Sequence, residues 1–489
     1  MPDPNDTLPN VKIRIGDRLL TEGSGGVYDH INPATGKVQA TIPLAGQKEV
    51  DEAATVAQEA FEEWSRWKPA DRCEVLFKLS SLLEENAYEL GRLTARDVGS
   101  AMSLASRGWS QAKAWNSYYA GWADKIDGQV TKSFNRDGEF SYTQLEPYGV
   151  VGIINTWNGP VIGMGMKVSP AIAAGNTVLV KPSELTPFST QLYGDLVVEA
   201  GIPPGVVNIL PGTGEAGDAI VKNRLVKKVS FTGGPTVARK ILEACARLIK
   251  PAVLELGGKS ANIVFPDANL DVVCPWSVQF SIGLLSGQGC SLPTRMLVHE
   301  KVYDEVVERV VNEAQKLVQG DPFDPAVTMG PVVNQAAVDR ILGIIETARK
   351  EGSGRLLTGG KRLGGEFADG YYIEPTVFAD VDPASSLAQE EIFGPVLAIT
   401  KFSSEDEAVS IANSTEYGLA AWLQTADASR VHRVAERLYA GSVWANGAAP
   451  IQPNTPFGGV GLSGYGKEGG RAGLDEFVRA KTIALGTFA

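Results

Sequence analysis

The stretch GVVGIINTWNGP, residues 149–160, decides how the chain is read. An apolar run ends at Asn155 and gives way to polar and turn-forming residues, as a buried strand does when it leaves a sheet. Four more runs of this kind follow: TVLVKPS (177–183), VVNILPG (206–212), KKVSFTG (227–233) and AVLELGG (252–258). Helical patterns such as TQLYGDLVVEAG and VARKILEACARLI lie between them. Apolar strands alternating with helices mean βαβ units and a parallel sheet covered on both faces. Such sheets bind ligands at the carboxyl ends of their strands.

Upstream, residues 48–125 are helical: Val50, Ala53, Ala54, Ala57, Phe61 and Trp64 recur at three- and four-residue steps. The polar, turn-rich segment GQVTKSFNRDGEFSYTQLEP near 127–147 reads as an extended hairpin. A second α/β stretch runs over 259–465, and RAKTIALGTFA closes the chain as a strand.

The chain has 489 residues, enough for two or three domains. A net charge of −12 disfavours nucleic acid and anionic membranes as partners. No apolar run reaches the length of a membrane span, and MPDPNDTLPN lacks the pattern of a signal peptide, so a cytoplasmic protein is expected. Cys73, Cys245, Cys274 and Cys290 include no CxxC pair, and only His30, His299 and His432 could add imidazole. Neither a disulfide scaffold nor a metal site is expected. A nucleophilic Cys290 would need a carboxylate as its base.

The candidate motifs each carry two readings. GTGEAG (212–217) is a literal GxGxxG after a strand, but no acid follows about 20 residues on, so it reads first as a tight turn. Gly233 and Gly234 are the better anion site, opening a helix with no side chain in the way. Lys181 and Glu184 suit either a clamp on ribose hydroxyls or a solvated loop pair. Asn158 is an oxyanion donor or a turn residue. Glu255, ending an apolar strand, is a base of raised pKa or a loop acid. Cys290, after Gly287-Gln288-Gly289, is an inert thiol or one whose pKa is lowered by free backbone N–H groups.

Taken in order, NTWN (155–158), KPSELTP (181–187), FTGG (231–234), LELGGKS (254–260), GQGC (287–290), EEIFGPV (390–396) and PFGGVGLSGYGKEG (456–469) closely resemble the aldehyde dehydrogenase superfamily over essentially the whole chain. The resemblance implies an α/β fold. It has a Rossmann-like cofactor domain (1–126 and 148–258), an α/β catalytic domain (259–465) and a small β oligomerisation arm (127–147 and 466–489). It implies that Cys290 attacks the aldehyde carbon, that Asn158 and the Cys290 N–H hold the oxyanion, and that Glu255 activates the hydrolytic water, with Glu468 as a second acid nearby. Cofactor contacts fall on Trp157, Lys181, Ser183, Glu184, Gly214, Phe231, Gly233, Gly234, Leu256, Glu391 and Phe393. The substrate pocket falls on Gly159, Gly163, Met166, Gly289, Ser291, Ile451 and Phe457.

Two positions depart from the family pattern: Leu285 stands where Asn is usual, and Gly234 where serine is frequent. The carboxylate of Glu184 favours NAD over NADP, with dual use left open. Gly159, Gly163 and Met166, with Ile451, imply a wide, uncharged tunnel and hence an aromatic, terpenoid or long-chain aldehyde. A homodimer or homotetramer is expected from the same resemblance. Alternatives are a semialdehyde or CoA-acylating dehydrogenase of the superfamily, a cofactor-free thiol hydrolase, and a non-catalytic protein kept for binding or structure. Glu255 argues against CoA acylation, and the scarcity of histidine against the hydrolase.

Overall fold

The computed structural model describes residues 7–135 and 137–486. The first six residues and the last three of the closing segment lie outside the described residues. All five runs read as strands are strands, and they pair in parallel: Val150–Ile154 lies between Thr177–Lys181 and Val226–Gly233, followed outward by Val207–Ile209 and Ala252–Leu256. Antiparallel strands extend both edges, Gly464–Tyr465 beside Ala252–Leu256, and Ile13–Ile15 with Arg18–Leu20 beyond Val207–Ile209. These N-terminal strands, and the hairpin Val27–Asn32 with Lys37–Pro43, have no counterpart in the sequence reading. They are short and only partly apolar, too weak a pattern to read.

The chain winds outward one way from Val150–Ile154 and then returns to its other side at Val226–Gly233. The strand order therefore reverses between these two neighbours, and a crevice opens beyond their carboxyl ends. Asn158 follows one strand and Gly234 the other. The helices Pro160–Ala173, Pro187–Glu199 and Pro235–Leu248 each open with Pro in the first turn. Pro has no N–H to lose there and its fixed φ suits a helix start. The sequence thus marks where each strand-to-helix loop ends.

Helices Gln47–Trp64, Pro69–Glu85, Ala87–Val98 and Met102–Ala120 account for the helical stretch. Gln47–Trp64 packs directly on the sheet through Val50, Ala53, Ala54 and Ala57, with Trp64 Nε1 donating to Ile172 O at 3.1 Å, and Met102–Ala120 packs on Pro160–Ala173. The second stretch forms a seven-stranded sheet, parallel except at its edge strand Arg355–Thr358. The polar segment is an antiparallel hairpin, Val130–Lys132 with Phe140–Pro147, and Val478–Leu485 pairs along its other side. Val130, Phe140 and Leu485 are exposed on it.

Candidate active site

The loop carrying Cys290 is built by backbone geometry more than by side chains. Helix Leu270–Val278 runs into an irregular turn in which Leu285, Ser286 and Gly287 all have left-handed φ, 51°, 54° and 72°. At Gly287 a Cβ would stand 2.1 Å from Gly394 O, so only glycine lets this loop touch the 390–396 segment. One residue later Asn158 Nδ2 donates to Gln288 O at 3.1 Å, which ties the first strand's loop to the thiol's loop.

Three carboxylates surround the thiol. Glu255 lies within its strand, buried, and its Oε1 has no hydrogen-bond partner within the protein. Burial and the charge of Glu468 hold the Glu255 carboxyl well above the usual range, against the pull of Lys167 and Lys467. Glu468 is itself paired with the buried Lys167, whose Nζ also donates to Ser230 Oγ at 3.1 Å. Glu391 accepts from Gly258 N at 3.0 Å, and burial pushes its pKa up to about 7.

The expected lowering of the thiol pKa is overturned. Burial, then Glu255, Glu391 and Glu468, push the Cys290 thiol far up, and the Cys290 backbone N–H offsets only part of this. The short-range donors foreseen in the sequence are outweighed by burial, and then by charges that only the fold assembles.

The residues assigned to a cofactor fall into two groups. Lys181, Ser183, Glu184, Gly214, Gly233 and Gly234 lie at the strand ends; Lys181 Nζ pairs with Glu184 Oε2 at 3.3 Å, and burial holds the lysine pKa below its ordinary value. A Cβ at Gly214 or Gly234 would meet no atom within 4 Å, so the main chain there is bare toward the crevice. Gly212 is different: a Cβ would strike Ala216 at 2.6 Å, which is the tight-turn role. Trp157 meets Phe393 edge to face at 5.5 Å between ring centroids. Phe231 and Leu256, however, have their side chains in the core beneath the sheet.

Of the pocket residues, Met166, Ile451 and Phe457 share one apolar cluster with Cys290, Ile162 and Trp444. Gly163 does not widen a tunnel: a Cβ there would land 2.4 Å from the Asn155 amide oxygen, so the space is already filled. A Cβ at Gly159 would stand 2.8 Å from Ile162 Cγ2, and one at Gly289 would stand 2.8 Å from Leu292 Cγ. Ser291 is buried and gives its carbonyl to Trp422 Nε1 at 3.4 Å.

Sequence reasoning missed Lys167, Arg340 and Trp444. Lys167 had a signal, being the one charged residue in the apolar helix Pro160–Ala173. Arg340, whose guanidinium holds Ile392 O and Phe393 O, had none, because its helix is far off in sequence. Among the described residues no group of acids, cysteines and histidines could hold a metal, and no helix is long and apolar enough to cross a membrane.

The fold and site define an α/β protein in which a doubly wound sheet presents its strand ends to a cysteine on the loop that leads into a second sheet. The model of the aldehyde dehydrogenase family matches residues 20–483. An aldehyde dehydrogenase of Alternaria alternata is 40% identical over 475 residues, 96% of this chain and 94% of that protein. One from Emericella nidulans is 42% identical over 472 residues, again 96% and 94%. The solved NAD+ complex of an aldehyde dehydrogenase from Bacillus cereus superposes with a TM-score of 0.94 at 38% identity, covering 98% of this chain and 96% of that one. The chain belongs to the aldehyde dehydrogenase family.

Proposed function

We propose that the protein oxidises an aldehyde to the carboxylic acid with NAD, through a thioester on Cys290. What carries the reading is the meeting of Cys290, the Asn158 amide and the buried, unpartnered Glu255 at the sheet's switch point. The bare main chain at Gly214 and Gly234, and the Lys181–Glu184 pair, suit a dinucleotide's pyrophosphate and ribose. Glu391, Trp157 and Phe393 would hold its other ribose and ring. When bound, NAD accepts the hydride that leaves the substrate carbon and brings a positive ring into a site of three carboxylates.

Glu255 takes the Cys290 thiol proton, passing it on before hydrolysis, as the sulfur attacks the aldehyde carbon, and the Asn158 amide with the Cys290 N–H takes the developing oxyanion. Glu255 then draws a proton from the water that cleaves the thioester. Its raised pKa makes it a stronger base than an exposed carboxylate. The Glu468–Lys167 pair gives that proton a buried neighbour to pass to. Glu184 disfavours a 2′-phosphate, so NAD is preferred to NADP. Ile162, Met166, Trp444, Ile451 and Phe457 belong to the same apolar cluster that Cys290 packs against, which supports a bulky apolar aldehyde. We read 1–126 with 148–258 as the cofactor unit, 259–465 as the thiol-bearing unit, and 127–147 with 466–489 as an arm that pairs with a second copy.

The test is NADH formation from NAD across an aldehyde panel, with wild type and Cys290→Ser. Turnover lost in the variant, with free acid as product, supports the reading. Acetaldehyde turned over with a better kcat/KM than benzaldehyde or decanal would overturn the substrate half of it.

A further inference from the structure

The turn before Cys290 places two side-chain-bearing residues, Leu285 and Ser286, consecutively in the left-handed region. Leucine is poorly suited to that conformation, which among non-glycine residues favours Asn and Asp. Something must hold the turn, and most of the hold traces to one residue. Gln288 is buried, and its Oε1 accepts from Val333 N at 3.0 Å. Its Nε2 and its backbone N both donate to Leu285 O, at 2.9 and 3.1 Å. Ser286 Oγ adds a bond to Gly330 O at 2.7 Å, on the same neighbouring segment.

The third arm of Gln288 is its main-chain carbonyl, which accepts from Asn158 Nδ2. A side-chain amide has two N–H donors. Spending one on Gln288 O fixes the amide plane and aims the other. We propose that Gln288 is a positioning residue for the oxyanion site. Its side chain staples the left-handed turn Leu285–Gly287 to the Gly330–Val333 segment, so that its carbonyl orients the Asn158 amide beside Cys290. This rests on the reading of Cys290 as the nucleophile. It makes the left-handed Leu285 a cost that Gln288 offsets.

The test is a double-mutant cycle on the full chain with NAD and an aldehyde that is turned over, using Gln288→Met, Asn158→Ala and both together. Gln288→Met keeps the shape and removes both side-chain hydrogen bonds. It should lower kcat about tenfold to a hundredfold and leave the KM for NAD within about twofold. In the Asn158→Ala background it should change kcat by less than about twofold, because the group it orients is gone. Adding Leu285→Gly, which removes the left-handed penalty, should recover part of the loss. Equal losses in both backgrounds, or a Gln288→Met kcat within about twofold of wild type, overturn the proposal. Should Gln288→Met fail to fold, Gln288→Glu keeps the acceptor for Val333 N and enters the same cycle with the same criteria. Turnover that survives Cys290→Ser would instead defeat the underlying functional reading, so the two failures are distinguishable.

Discussion

The Glu391 carboxylate occupies the place a side chain on Gly257 would take: a Cβ there would stand 2.0 Å from Glu391 Oε2. The glycine of LELGG is therefore an allowance for an acid from a distant loop, 134 positions away in sequence, as the numbers 257 and 391 give. Gly257→Ala should push Glu391 out of position. A hydrogen bond to a charged acceptor contributes about 1.5–3 kcal/mol, so the KM for NAD should rise at least about tenfold. Steady-state kinetics at saturating aldehyde checks this.

The pH dependence of the hydrolytic step should move in opposite senses in two variants. Glu468 raises the Glu255 pKa and Lys167 lowers it. The base works ionised, so activity climbs as pH rises through its pKa. Glu468→Gln removes a like charge and should shift the climbing limb of the kcat profile to lower pH. Lys167→Met removes an attractive charge and should shift it to higher pH. A full kcat–pH profile for each variant gives the sign directly.

Cofactor choice should turn on Glu184. Glu184→Gln removes the charge that repels a 2′-phosphate while keeping a hydrogen-bonding group of the same size. The ratio of kcat/KM for NADP to that for NAD should rise about tenfold, the equivalent of about 1.4 kcal/mol. Initial rates with each cofactor measure it.

Arg295 sets a stability expectation away from the chemistry. Its buried guanidinium donates to Lys259 O, Ile411 O and Ala412 O at 2.9, 3.0 and 2.8 Å. Arg295→Met leaves three carbonyls without that donor, at about 1–3 kcal/mol for each group left unsatisfied. Denaturant midpoints should fall accordingly, with the unfolding slope unchanged.

The five parallel strands, the helices that begin at Pro160, Pro187 and Pro235, and the hairpin with its closing strand were legible because each is written locally. Apolar runs set strands, and Pro after a loop sets helix starts. The order of motifs likewise identified the family and singled out Cys290, Glu255 and Asn158. What the sequence could not hold was anything made by separation. A lowered thiol pKa was one of two readings of Cys290, and the pKa instead rises, because the fold buries the thiol and then brings Glu255, Glu391 and Glu468 to it from three distant segments. Gly163 read as tunnel space and is filled by Asn155. Lys167 was visible only as an odd charge in an apolar helix, and its partner Glu468 lies 301 positions on. Local backbone preference fixes what a segment becomes. Electrostatics and packing depend on which segments meet, and that is decided only when the two sheets close on each other around the cysteine.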